Sequence, residues 1–179
     1  MRQWKYAAII LMLALLATIA GCTSSSPPTS SPTAADSGLK AGLPDSMDYQ
    51  ISVTGGQNTV TLTYKDLKAM DFTEIKNAST VNSAGTVTTG SYAGVPMMAI
   101  VNKAGLPQGN VSFKISAPDG YTKLYSMDQM QSSILGLKVN DTAMTNDIND
   151  KGKSIRMIVP GETNDMWMKM PIKIEITAA

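Results

Sequence analysis

Gly90-Ser91-Tyr92-Ala93-Gly94-Val95-Pro96-Met97 is the stretch on which the reading of this chain turns. Two glycines bracket a serine, a tyrosine and an alanine, so Gly90 to Gly94 is expected to be a loop. Pro96 suits the first turn of a following helix, where its missing N–H would have had no intrahelical partner. Met97, Ile100, Val101 and Ala104 then fall on one helical face, Gly105 is the expected C′ residue, and Pro107 blocks continuation.

Working towards the N-terminus, residues 72–89 are rich in Thr, Ser, Val and Asn. They read as two short strands, 73–76 and 85–89, around the break Ser83-Ala84-Gly85. Thr63 followed by Asp66 is a capping-box start for a short helix ending near Met70, with Leu62 and Leu67 placed as a hydrophobic staple. Tyr49, Ile51 and Val53 alternate with polar residues, Gly55-Gly56 turns the chain, and Val60 and Leu62 resume the period of two, which predicts a hairpin.

Towards the C-terminus, Val111, Phe113 and Ile115 alternate, Pro118-Asp119-Gly120 turns, and residues 121–125 return. Ser126 with Gln129 is a second capping box. Residues 134–139 read as extended, 140–153 as a polar loop, and 155–159 as a strong strand broken by Pro160-Gly161. Ile172, Ile174 and Ile176 mark a last strand. About nine short strands and three short helices without regular βα alternation make an α+β fold with a mixed β-sheet core.

The first 21 residues have a basic start (Arg2, Lys5) and an apolar run from Tyr6 to Ala20, ending in Ala20-Gly21-Cys22. At 15 residues this run falls short of the roughly 20 that span a bilayer as a helix. The pattern fits an export signal and resembles a lipobox, which makes residues 1–21 a lipoprotein signal peptide and Cys22 the lipidation site. Cys22 is the only cysteine of the 179 residues, so no internal disulfide is available. Nine Ser or Thr and three Pro among residues 23–37 cannot bury enough surface to offset ordering entropy, so residues 22–42 read as a tether and 43–179 as one globular domain. The expected location is the outer face of the cytoplasmic membrane or the cell envelope, with the membrane contacted through the lipid. Beyond the signal, 13 basic residues face 14 acidic ones. Without a basic stretch to neutralise phosphates, nucleic acid is not an expected partner.

The chain has no histidine, which removes imidazole as base, shuttle or ligand. Arg156 is the only arginine after the signal and, in an alternating strand, is expected to face solvent. Asp141, Asp147 and Asp150 lie in the 140–153 loop without calcium-loop spacing, so a solvated loop is the default over a hard-cation site. Met166-Trp167-Met168-Lys169-Met170-Pro171 reads as adaptable core or interface filling, with Cu(I) binding as the alternative.

Taken in order, Leu62-Thr63-Tyr64-Lys65-Asp66-Leu67, Tyr92-Ala93-Gly94-Val95-Pro96-Met97, Ala117-Pro118-Asp119-Gly120-Tyr121, Val139-Asn140-Asp141, Val159-Pro160-Gly161 and Trp167-Met168-Lys169 followed by Ile172-Lys173-Ile174 resemble the punctuation of the sulfite oxidase-like molybdopterin-binding domain. The resemblance implies a mixed α+β core whose loops hold a pterin, with molybdenum ligated by a cysteine between the first helix and the Tyr92 segment. The corresponding residues 74–90 contain no cysteine, and Ser79 or Ser83 would be a poor hard substitute for a thiolate. The resemblance also places Tyr92, Asp119 and Tyr121 near the family's pocket; with Trp167 they form the expected ligand cleft. No catalytic residue and no metal site are assigned. The expected function is a degenerate, non-catalytic molybdopterin-binding-like domain used for ligand or protein interaction, with no cofactor expected. The alternatives are a molybdopterin-dependent oxidoreductase and a purely structural envelope lipoprotein.

Overall fold

The computed structural model describes residues 38–150 and 152–178; the lipidation candidate Cys22 lies outside them. Among the described residues ten strands form two sheets, with three short α-helices at their ends. Strands β1 (Gln50–Thr54) and β2 (Val60–Thr63) form the expected antiparallel hairpin. Their sheet continues through β10 (Lys173–Ala178), β5 (Val111–Ser116) and β6 (Thr122–Tyr125), in the order β2-β1-β10-β5-β6. The one parallel pair in it joins β1 to β10, matching Val53 with Ile174.

The period-two pattern explains this sheet's burial directly. Ile51, Val53, Phe113, Ile115, Ile174 and Ile176 turn to one face and are buried, while their neighbours Ser52, Lys114, Lys173 and Glu175 stay partly or fully exposed.

The second sheet runs β3 (Thr73–Val81), β4 (Val87–Pro96), β7 (Ile134–Val139) and β8 (Thr142–Ala143), with β9 (Arg156–Ile158) also paired to β7. Here two expectations are corrected. The segment from Gly90 to Gly94 is not a loop but the inner half of β4, hydrogen-bonded to β3 on one side and β7 on the other. The strands expected at 73–76 and 85–89 are likewise the ends of a longer hairpin. Its outer part, from Val81 to Thr89, is exposed throughout, so its Ser, Thr and Asn content carries no alternating signal. The glycine at 94 marks a close approach, because a Cβ there would lie 1.9 Å from the Leu135 carbonyl oxygen. Glycine in a strand is a sign of such contact as often as of a turn.

Helices α1 (Tyr64–Ala69) and α3 (Met127–Ser132) open with complete capping boxes, Thr63 with Asp66 and Ser126 with Gln129. Helix α2 (Met97–Asn102) has Pro96 as its N-cap and buries Met97, Ile100 and Val101. The 140–153 segment is mostly loop but contributes β8 and the buried Met144.

Candidate functional site

Strand β9 positions the site. It pairs with β7 along one edge. On the other edge the 168–170 segment runs beside it: Met157 N–H donates to the Met168 carbonyl at 2.8 Å, Met170 N–H to Ile155 at 2.7 Å, and Arg156 stands in an antiparallel bridge with Lys169. With both edges paired and Arg156, Met157 and Ile158 all buried, the strand has no solvent face.

Arg156 therefore does not face water as its alternation implied; it is 7 % exposed. Its Nε donates to the Ser154 carbonyl at 3.3 Å, while Nη2 is buried with no hydrogen-bond partner. Burial pushes its pKa down, opposed by Tyr92 and Asp150. The missed signal was in the run Ile155-Arg156-Met157-Ile158-Val159: one polar residue in a continuous apolar stretch is the pattern of a strand covered on both faces.

Arg156 lines a cleft of about 200 Å³, with Lys169 from the adjoining segment. The opposite elements contribute Asp119 and Tyr121, from the β5–β6 turn, and Asn164 and Asp165, from the 3₁₀ turn Asn164–Met166. That turn is fastened in place. Lys123 Nζ lies 2.5 Å from Asp165 Oδ2, Tyr121 donates its hydroxyl to the Asp165 carbonyl at 3.1 Å, and Tyr125 donates to Met166 at 3.0 Å. Just before it, Glu162 accepts from the Gln129 amide at 2.7 Å. Hydrogen bonds from Lys123 and Thr163 hold the Asp165 carboxyl below the usual carboxylate range.

Of the four residues expected around a cleft, three line this one: Asp119, Tyr121 and Trp167. Asp119 also closes its own turn, accepting from Tyr121 N–H at 3.0 Å, with Gly120 at φ 84° completing it. Trp167 is 3 % exposed and donates its indole N–H to the Val159 carbonyl at 2.8 Å. Tyr92, buried in β4, is not among the lining residues; it stands behind them, its ring T-shaped to that of Trp167 at 5.4 Å. Met168 and Met170 beside the tryptophan belong to the hydrophobic core. Among the described residues no group of three or more His, Cys, Asp or Glu side chains is placed to hold a metal ion.

The family model of the oxidoreductase molybdopterin binding domain matches residues 40–179. The chain belongs to that family. Among solved structures, the sulfane dehydrogenase SoxCD from Paracoccus pantotrophus superposes with a TM-score of 0.64 at 19 % identity, over 74 % of this chain and 39 % of that one. At that identity the likeness concerns the fold, and this chain spans well under half of the relative's length. No curated protein matched the sequence. The mixed-sheet fold read from the sequence is that of the molybdopterin-binding domain.

Proposed function

We propose that this chain is a lipoprotein held through Cys22 at the outer face of the cytoplasmic membrane or in the cell envelope, and that its domain binds a small anionic ligand without redox catalysis. One observation carries the ligand reading: the Arg156 guanidinium is buried in the cleft wall with Nη2 unpartnered. Among the described residues it has no ion-pair partner. A buried cation left uncompensated costs several kcal/mol, and an anion in the cleft would supply the missing partner and acceptor.

The residues fit the family's cofactor only in part. An anionic group suits Arg156, but the metal end has no matching donors. The only cysteine is Cys22, residues 74–90 hold none, and the chain has no histidine. A cleft of about 200 Å³ is also smaller than the roughly 300–1,000 Å³ of ordinary ligand and cofactor sites. No redox step is therefore assigned to these residues.

Metal analysis and pterin fluorescence of the purified full chain test this reading. The expected result is molybdenum far below one equivalent, together with saturable stabilisation by acetate at constant ionic strength that Arg156→Lys weakens. Stoichiometric molybdenum with a bound pterin would establish the oxidoreductase reading instead. No metal and no response to anions would leave a structural envelope protein.

A further inference from the structure

Two basic and two acidic side chains line the cleft. Arg156 and Lys169 are cross-strand neighbours on one wall. Like charges placed opposite one another on paired strands repel, and neither has an ion-pair partner among the described residues. Tyr121 links the two acidic residues: its backbone N–H donates to the Asp119 carboxylate and its hydroxyl to the backbone carbonyl of Asp165. Asp165 is already neutralised by Lys123, whereas Asp119 makes no ion pair among the described residues and keeps one carboxylate oxygen beyond its turn bond. Two aromatic side chains, Tyr121 and Trp167, complete the lining.

From this arrangement we infer that the cleft takes a small zwitterion, an amino-acid-like molecule whose carboxylate meets Arg156 and Lys169 and whose ammonium meets Asp119 against the aromatic rings. The inference rests on the anion-binding reading above and narrows it. A compact dianion would satisfy the basic side chains but face Asp119 within the same 200 Å³. A simple monoanion would leave the exposed Asp119 carboxylate to water, whereas a zwitterion's ammonium would gain a partner in it. A zwitterion pairs with both kinds of charge, and the aromatic lining suits its ammonium end. Size agrees. At about 200 Å³ the cleft lies below the roughly 300–1,000 Å³ of drug-sized sites and suits a small molecule.

Titration calorimetry of the full chain in detergent, with glycine, glycine betaine, acetate and tetramethylammonium as probes, tests it. At least one zwitterion is expected to bind tenfold or more tightly than acetate, and tetramethylammonium not to bind. Asp119→Asn keeps an acceptor for the turn but removes the charge; it should cost the zwitterion tenfold or more while acetate binds no more weakly. Arg156→Lys should weaken both. Equal binding of acetate and the zwitterions, or indifference to Asp119→Asn, would overturn the zwitterion assignment while leaving the anion site standing. Absence of binding by every probe would overturn both.

Discussion

Arg156 ties stability and binding together in opposite directions. Its side chain is buried, its Nη2 has no hydrogen-bond partner and no described residue ion-pairs with it, although Tyr92 and Asp150 act on its charge from further away. Replacing a buried, poorly paired charge with an apolar side chain of similar volume commonly stabilises a protein by about 1–4 kcal/mol. Arg156→Met is accordingly expected to raise the urea midpoint of the ligand-free chain, by about 1–3 kcal/mol in unfolding free energy, while abolishing anion binding. A loss of stability in that variant would mean that the guanidinium already has a partner in the free protein. Gly94 is the opposite case, a residue whose value lies in what it lacks. With the Leu135 carbonyl oxygen 1.9 Å from where a Cβ would stand, Gly94→Ala must push β4 away from β7. Overpacking of this kind costs about 1–3 kcal/mol or more, and the expected readout is a lowered urea midpoint or insoluble expression.

At the scale of elements, the two capping boxes bear on local stability and on its dependence on pH. Thr63→Ala and Ser126→Ala each remove a side-chain acceptor for an N3 amide and are expected to cost about 1 kcal/mol by urea denaturation. Asp66 is held below the ordinary carboxylate range by its bonds from Thr63, as Asp165 is by Lys123 and Glu175 by Lys173. Groups depressed on folding stabilise above their unfolded pKa of about 4 and lose that contribution as pH falls through their folded values. Stability should therefore be flat across neutral pH and fall below about pH 4. Lys123 works in the opposite sense. Its pKa is raised, chiefly by the hydrogen bond to Asp165, so its contribution is present below the ordinary lysine pKa and lost as pH climbs through the raised one. Asp165→Asn should blunt both limbs in a pH series of thermal melts.

These elements also divide what was readable in the chain from what was not. The caps Thr63–Asp66 and Ser126–Gln129 were legible because both partners lie within four residues of each other. The hairpin of β1 and β2 was legible because one of its faces is buried. Strand β4 was not: Gly90 and Gly94 carry the same letter whether they turn a chain or admit a neighbouring backbone, and the neighbour, Leu135, lies some 40 residues on. Arg156 was misread for a related reason, since the segment that closes its second edge comes from residues 168–170. Of the three residues that the resemblance placed near a pocket, Asp119 and Tyr121, at one turn, line the cleft with Trp167, whereas Tyr92 lies buried in β4. Lys169 and Asp165 entered the site only through pairings distant in the chain.

For the molecule as a whole, the family fold is retained, and its cleft is lined by a buried arginine, a lysine, two aspartates and two aromatic rings. Localisation remains a separate question with its own measurement. Cys22→Ser is expected to move the protein from the membrane pellet to the soluble fraction, and an unchanged pellet would sink the lipid-anchor proposal.

The position of β10 carries one more consequence, for when the domain can assemble. This strand lies in the middle of its sheet, between β1, some 120 residues earlier, and β5. Until residues 173–178 are available, the β1–β2 hairpin and the β5–β6 hairpin have no strand between them. Pairing across so long a stretch is slow, because loop closure comes before the contacts that reward it. A chain still emerging from the ribosome would thus leave this sheet in two separate hairpins until residues 173–178 had been made.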